Sequence, residues 1–146
     1  MRLFCVALAL LLPVTSACSN AARTAARASA AAAAERFPAS ANDGGRVYAT
    51  NCASCHQSDG RGVAGAFPPL AGSALVTGPP ERLIALVKLG ISGRLQVSGQ
   101  TYDGTMPRWG QLISDEQIAA VVTYIRTSWH NRAGPVTLAD VRAVSP

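Results

Sequence analysis

Two cysteines two residues apart, with a histidine directly behind the second, constrain this chain more than any other feature: Cys52-Ala53-Ser54-Cys55-His56. Three reactive side chains within five residues fit a redox disulfide, half a zinc site, or the covalent attachment of a haem. A thioredoxin-type pair belongs in a βαβ unit, whereas helix and loop patterns flank this one. A structural zinc site takes four ligands. The chain offers Cys52, Cys55, His56 and the distant His130, with no second CxxC and no HxxxH. Haem attachment needs two thiols for thioether bonds and an adjacent imidazole for the iron, and this spacing supplies both.

The chain around the motif has 146 residues, enough for one small domain with a modest core. Residues 1–17 have the form of a secretory signal: Arg2, an apolar run from Leu3 to Leu12, then the small residues Thr15-Ser16-Ala17. The run is too short for a membrane span. Val14-Thr15-Ser16-Ala17-Cys18 resembles a bacterial lipobox, in which Cys18 is acylated and holds the mature protein on a membrane face. Ordinary cleavage after Ala17 would instead leave Cys18 a spare thiol. Of the four cysteines, Cys5 leaves with the signal and Cys18 sits at the anchor, so only Cys52 and Cys55 fall in the folded part. A secreted domain stapled by disulfides would carry more pairs at wider spacing.

Residues 18–42 are Ala-rich without an apolar stripe and read as a tether, able to reach at most about 80 Å. The globular domain is expected over 43–146. Asp43 would cap a first helix leading into the CxxCH motif. A Gly/Pro-rich loop follows from Gln57 to Pro80. Pro79 or Pro80 starts a second helix with Leu83, Leu86 and Val87 at helical spacing, and Gly90 stops it. Leu95 to Tyr102 alternates around Ser98-Gly99, a small hairpin. In the last helix Ser114 and Gln117 form a capping box, and Ile118, Val121, Val122, Ile125 and Trp129 share a face. From Asp43 onward nine Lys/Arg meet seven Asp/Glu, and Lys88 is the chain's single lysine. That balance lacks the clustered basic patch of a nucleic-acid face.

Iron in an electron carrier is commonly held by His and Met. Past the initiator the chain has one methionine, Met106, 50 residues after His56. It lies in Tyr102-Asp103-Gly104-Thr105-Met106-Pro107, expected as a loop between hairpin and last helix. A lone methionine often fills core gaps, a role that a Thr-Met-Pro loop suits poorly. His130 is the rival ligand.

With these pieces in order, residues 43–146 resemble a class I cytochrome c. The matching elements are a first helix with Gly44, Gly45 and Tyr48, the CxxCH motif, Phe67-Pro68-Pro69-Leu70-Ala71-Gly72, Met106-Pro107, and a last helix with Tyr124. The resemblance implies an all-α fold of three to five helices around one covalent haem c, with a short β-hairpin before the Met loop. It implies first and last helices crossing at a small residue, here Gly45. It also implies that Pro68 offers its carbonyl to His56, and that His56 and Met106 bind the iron. Gly99 to Pro107 and Tyr124 to Trp129 are similar to the cytochrome subunits of membrane-bound alcohol and sugar-acid dehydrogenases. Those subunits usually carry three haem motifs; this chain carries one.

The function expected is single-electron transfer, without catalysis and without a small-molecule substrate. Its place would be the bacterial periplasm, lipid-anchored at Cys18, and its partners a membrane-bound dehydrogenase or a terminal oxidase. Ala66, Phe67, Leu70 and Trp109 would neighbour the cofactor, and Arg94, Gln100 and Trp109 would meet its propionates. With one lysine and a domain charge near +2, docking would be mostly apolar rather than steered. A haem subunit of a larger dehydrogenase or oxidase fits the same residues. A peroxidase or gas sensor needs an open iron position, which Met106-Pro107 argues against.

Overall fold

The computed structural model describes residues 23–25, 27–29 and 41–145. The signal segment 1–17, Cys18 and most of the tether lie outside the described residues; 23–25 and 27–29 are helical and exposed. Among the described residues, no helix is long and apolar enough to cross a membrane.

The domain is built on three longer helices, α1 (Ala41–Asn51), α4 (Pro80–Leu89) and α5 (Asp115–Thr127). Shorter segments join them: α2 (Ala53–His56), α3 (Ala74–Thr77), a 3-10 turn (Trp109–Gln111) and α6 (Leu138–Ala143). The helical majority and the small hairpin agree with the expected fold. Helix α1 begins at Ala41, three residues before the Gly44 start that an Asp43 cap implies, so Asp43 is not its cap. Asp43 lies in the first turn, where a carboxylate still favours the helix N-terminus, and pairs with Arg46.

α1 packs across α5, and the crossing is set by Gly44 rather than Gly45. A Cβ on Gly44 would sit 2.0 Å from the carbonyl oxygen of Ala120, inside the backbone of α5. A Cβ on Gly45 would only reach the Tyr124 ring, at 3.2 Å. One residue along a helix turns the Cβ by roughly 100°, which moves it from the axis of the crossing to its side.

The core lies between these helices and the C-terminal segment. Tyr48 from α1, Leu83, Ile84 and Val87 from α4, and Ile118, Val121, Val122 and Ile125 from α5 are buried together with Val136 and Val141. The Ser114–Gln117 capping box forms as expected. A second box, Thr137 with Asp140 in a T-x-x-D pattern, starts α6. Trp129 lies past the end of α5 with φ +51°. Its ring meets Tyr48 at 5.0 Å and, edge-on, Tyr124 at 5.5 Å between centroids. Its Nε1–H donates to the Ser58 carbonyl at 3.1 Å. This aromatic cluster fastens the loop behind the CxxCH motif to the last helix.

Arg126 is buried on α5, and its guanidinium is held by backbone carbonyls. Its Nε donates to the Gly134 carbonyl at 2.8 Å, and its Nη1 to those of Val76 at 2.7 Å and Gly78 at 2.8 Å. Burial pulls its pKa below the usual value, with Glu81 opposing. The side chain closes three otherwise orphaned acceptors at the junctions of α3, α4 and the C-terminal segment. Arg126→Met, which keeps the bulk and removes the donors, is expected to cost about 3 kcal/mol, read from the denaturant midpoint.

The hairpin is longer than alternation suggested. β1 (Ile91–Val97) pairs antiparallel with β2 (Gln100–Met106), with Ile91 opposite Met106, Gly93 opposite Gly104 and Leu95 opposite Tyr102. Ser98 and Gly99 both take positive φ, +52° and +79°, as a two-residue I′ loop requires. Met106 is therefore the last residue of a strand and not part of a free loop.

Candidate functional site

Cys52 ends the run of α1 and begins α2, so Cys55 and His56 follow within one helical turn. The backbone N–H of His56 donates to the Cys52 carbonyl at 2.9 Å. After His56 the chain reverses through glycines. Gly62 has φ +66°, and a Cβ there would fall 2.3 Å from the Phe67 carbonyl oxygen. Only glycine allows residues 62 and 67–68 to pass so closely. The Val63 N–H donates to the Phe67 carbonyl at 2.9 Å, and the Phe67 N–H to that of Val63 at 2.8 Å. The Leu70 N–H donates to the Gly60 carbonyl at 2.7 Å.

This fold-back places the Pro68 carbonyl 3.0 Å from His56 Nδ1. A carbonyl only accepts, so Nδ1 carries the proton and Nε2 is left with a free lone pair. Orienting one imidazole nitrogen so that the other serves a metal is a recurring requirement of metal-binding histidines. Burial lowers the His56 pKa, with the Pro68 hydrogen bond opposing, which favours the neutral ligand form. Burial, helped by Cys55, pushes the Cys52 thiol up to about 11. Neither cysteine is in a disulfide.

Met106 reaches the same place from the other side. Gly90, at φ +70°, ends α4 so tightly that a Cβ would lie 2.6 Å from the Met106 carbonyl oxygen. Pairing with Ile91 fixes the strand end, and the Met106 side chain packs half-buried against the core cluster.

Between these walls lies an open, mainly apolar cleft. Asn51, Cys52, Cys55 and His56 line one side, with Ala66, Phe67 and Pro68 next to them; Met106, Pro107 and Trp109 line the other. The hairpin face closes it with Ile91, Gly93, Leu95, Tyr102, Gly104 and Thr105. Sequence reasoning singled out nine of these residues and missed Asn51 and the hairpin face. The missing signal was the strand register, which alternation over Leu95–Tyr102 alone did not reach.

Several expected neighbours lie elsewhere. Leu70 packs against the core cluster and does not line the cleft. Arg94 is exposed on the outer face of β1, 3.5 Å from Asp103. Gln100 accepts a hydrogen bond from the Tyr102 hydroxyl at 3.0 Å. His130 is exposed beyond α5 and is absent from the cleft lining.

The cleft's chemistry fits a flat apolar group carrying a metal. It has two thiols at its base, an imidazole nitrogen kept unprotonated, a thioether, and aliphatic and aromatic walls. Comparison with known proteins agrees. Residues 41–129 match the family model described as Cytochrome c. Cytochrome c-552 of Thermus thermophilus is 45% identical over 91 residues, covering 60% of this chain and 68% of that protein. The cytochrome c subunit of a quinone alcohol dehydrogenase of Komagataeibacter europaeus is 46% identical over 101 residues, covering 67% of this chain but only 21% of the subunit. The gluconate 2-dehydrogenase cytochrome c subunit of Pantoea cypripedii is 38% identical over 105 residues, covering 69% of this chain and 23% of that subunit. Relatives this similar, and a family match over more than half the chain, mean that this protein belongs to the cytochrome c family of electron carriers, whose cofactor is covalent haem c with its iron.

Proposed function

We propose that the chain carries single electrons through one haem, held by thioethers at Cys52 and Cys55 and ligated by His56 and Met106. The observation that carries this reading is the Pro68 carbonyl on His56 Nδ1 at 3.0 Å, which leaves Nε2 for a metal in the cleft that Met106 also lines. The bound haem supplies the Fe(II)/Fe(III) couple. The protein does the rest. Pro68 holds the imidazole in one tautomer, the strand end and Gly90 position the Met106 thioether, and the apolar walls keep water from the metal.

The donor and acceptor are a membrane-bound dehydrogenase or a terminal oxidase and its redox partner, on the periplasmic side of a bacterial membrane. Acylation of Cys18 and the tether 18–42 keep the domain 43–146 near them, raising local concentration where affinity is weak. Two features support an apolar, weakly steered docking contact. The single lysine is committed inside the fold, its Nζ 3.2 Å from Asp115 and 3.0 Å from the Val141 carbonyl. Phe67 and Val63, joined by their backbone bridge, are exposed large apolar side chains, and Phe67 is on the cleft wall.

A second reading, a haem subunit of one dehydrogenase, is favoured by the likeness to dehydrogenase cytochrome subunits. Native membranes solubilised in mild detergent and followed by haem absorbance through a sizing column separate the two. Haem eluting alone near the size of the monomer supports the tethered shuttle. Haem eluting with a dehydrogenase or oxidase supports the dedicated subunit. A purified chain without covalent haem overturns both.

A further inference from the structure

We infer that the cross-strand pair Gly93–Gly104 is a seat for the haem, a notch in the hairpin where the cofactor rests directly on backbone. The inference rests on the cleft's being the haem site and adds two residues to it.

Side chains alternate along a strand, so one face of this hairpin carries Ile91, Gly93 and Leu95 from β1 and Tyr102, Gly104 and Met106 from β2. All six line the cleft. Four of them are large, and the two glycines face each other on the middle one of these three cleft-lining rungs, Gly93 opposite Gly104. Both strands therefore lose their side chains at the same level. A glycine inside a strand weakens it and commonly marks the close approach of a ligand or another backbone.

Among the described residues, no packing contact accounts for this pair. Glycines 44, 60, 62 and 90 are each required because a Cβ would collide with a neighbouring residue. A Cβ at Gly93 or at Gly104 meets no atom within 4 Å. The cleared space opens into the cleft, so the group that fills the cleft is what a side chain there would strike. Gly93 has a second constraint, φ +100°, which disfavours any other residue. Gly104 has no such backbone demand, which makes it the clean probe. By this reading, the hairpin has been thinned between two cleft-lining rungs so that the macrocycle lies flush between Leu95–Tyr102 and Ile91–Met106. A residue with a side chain at 104 would lift the haem away from Met106.

The test compares Gly104→Ala, Gly104→Val and Thr101→Val as purified haem-loaded proteins. Thr101 is an exposed residue of the same strand on the opposite face, so it controls for damage to the hairpin itself. Soret circular dichroism reports how the macrocycle is seated. Imidazole binding to the ferric iron reports how firmly the protein's own ligand is held. Gly104→Val is expected to change the dichroism and to tighten imidazole binding about tenfold, as overpacking of a fitted site does. Gly104→Ala should show a smaller change of the same sign, and Thr101→Val none. Wild-type dichroism and imidazole affinity in Gly104→Val would overturn the seat, as would an equal change in Thr101→Val. An unaltered protein that carries no haem overturns the functional reading itself, and that result is visible before any variant is made.

Discussion

Met106→Ala is expected to lower the reduction potential by on the order of a hundred millivolts, a fraction of the roughly 0.8 V that axial ligation spans in haem proteins. A thioether is a soft ligand that favours Fe(II), so its loss shifts the balance toward Fe(III). It also frees a coordination position, and the ferric protein should then bind imidazole or cyanide readily. Because Met106 packs against the core cluster, truncation also leaves a cavity, costing about 2–5 kcal/mol. Met106→Leu separates the two effects. It keeps most of the bulk and removes the sulfur, so the potential should fall as far with much less lost stability. A potentiometric titration of the three proteins decides the matter. An unchanged potential in both variants would sink the assignment of Met106 to the iron. The replacement would have to come from elsewhere in the cleft, since His130 stands exposed at the far end of α5.

Gly44→Ala should destabilise the protein by about 3 kcal/mol, although helix propensity alone predicts a gain of about 1 kcal/mol for replacing a helical glycine by alanine. The two expectations differ in sign, which makes the variant informative. The new methyl would lie 2.0 Å from the Ala120 carbonyl oxygen and 2.6 Å from its carbonyl carbon. Both are backbone atoms of a buried helix and cannot swing aside as a flexible side chain can. The helices would have to separate, opening the core behind Tyr48. For a domain of this size the loss corresponds to a fall in Tm of roughly 12–24 °C. Gly45→Ala is the matched comparison, because its methyl meets only the Tyr124 ring at 3.2 Å. It should change Tm little or raise it. A rise in Tm for Gly44→Ala would mean that the crossing is looser than described.

The two substitutions bear on parts of the protein that were unequally visible in its sequence. The reactive groups that line the cleft could be singled out from the sequence. Cys52, Cys55 and His56 are adjacent, and local spacing alone brings thiols and imidazole to one helical turn. Met106 could be found by scarcity, being the one methionine after the initiator. The capping box at Ser114 and the turn at Ser98-Gly99 were also readable, because each depends on residues within a few positions of one another.

What required the tertiary structure was every relation between distant segments. Gly44 and Gly45 are equivalent by propensity, and only the placement of Ala120 decides which one lies at the crossing. The carbonyls of Val76, Gly78 and Gly134 that hold Arg126 come from other segments of the chain. Arg94 reads as a partner for an anionic group until strand register turns it outward to Asp103. The hairpin wall of the cleft followed from that same register. Local sequence determined which chemical groups the chain brings, because capping, turns and motif spacing act over a few residues. The fold decided which of them meet, because packing distances depend on backbones that the chain brings together from dozens of residues apart.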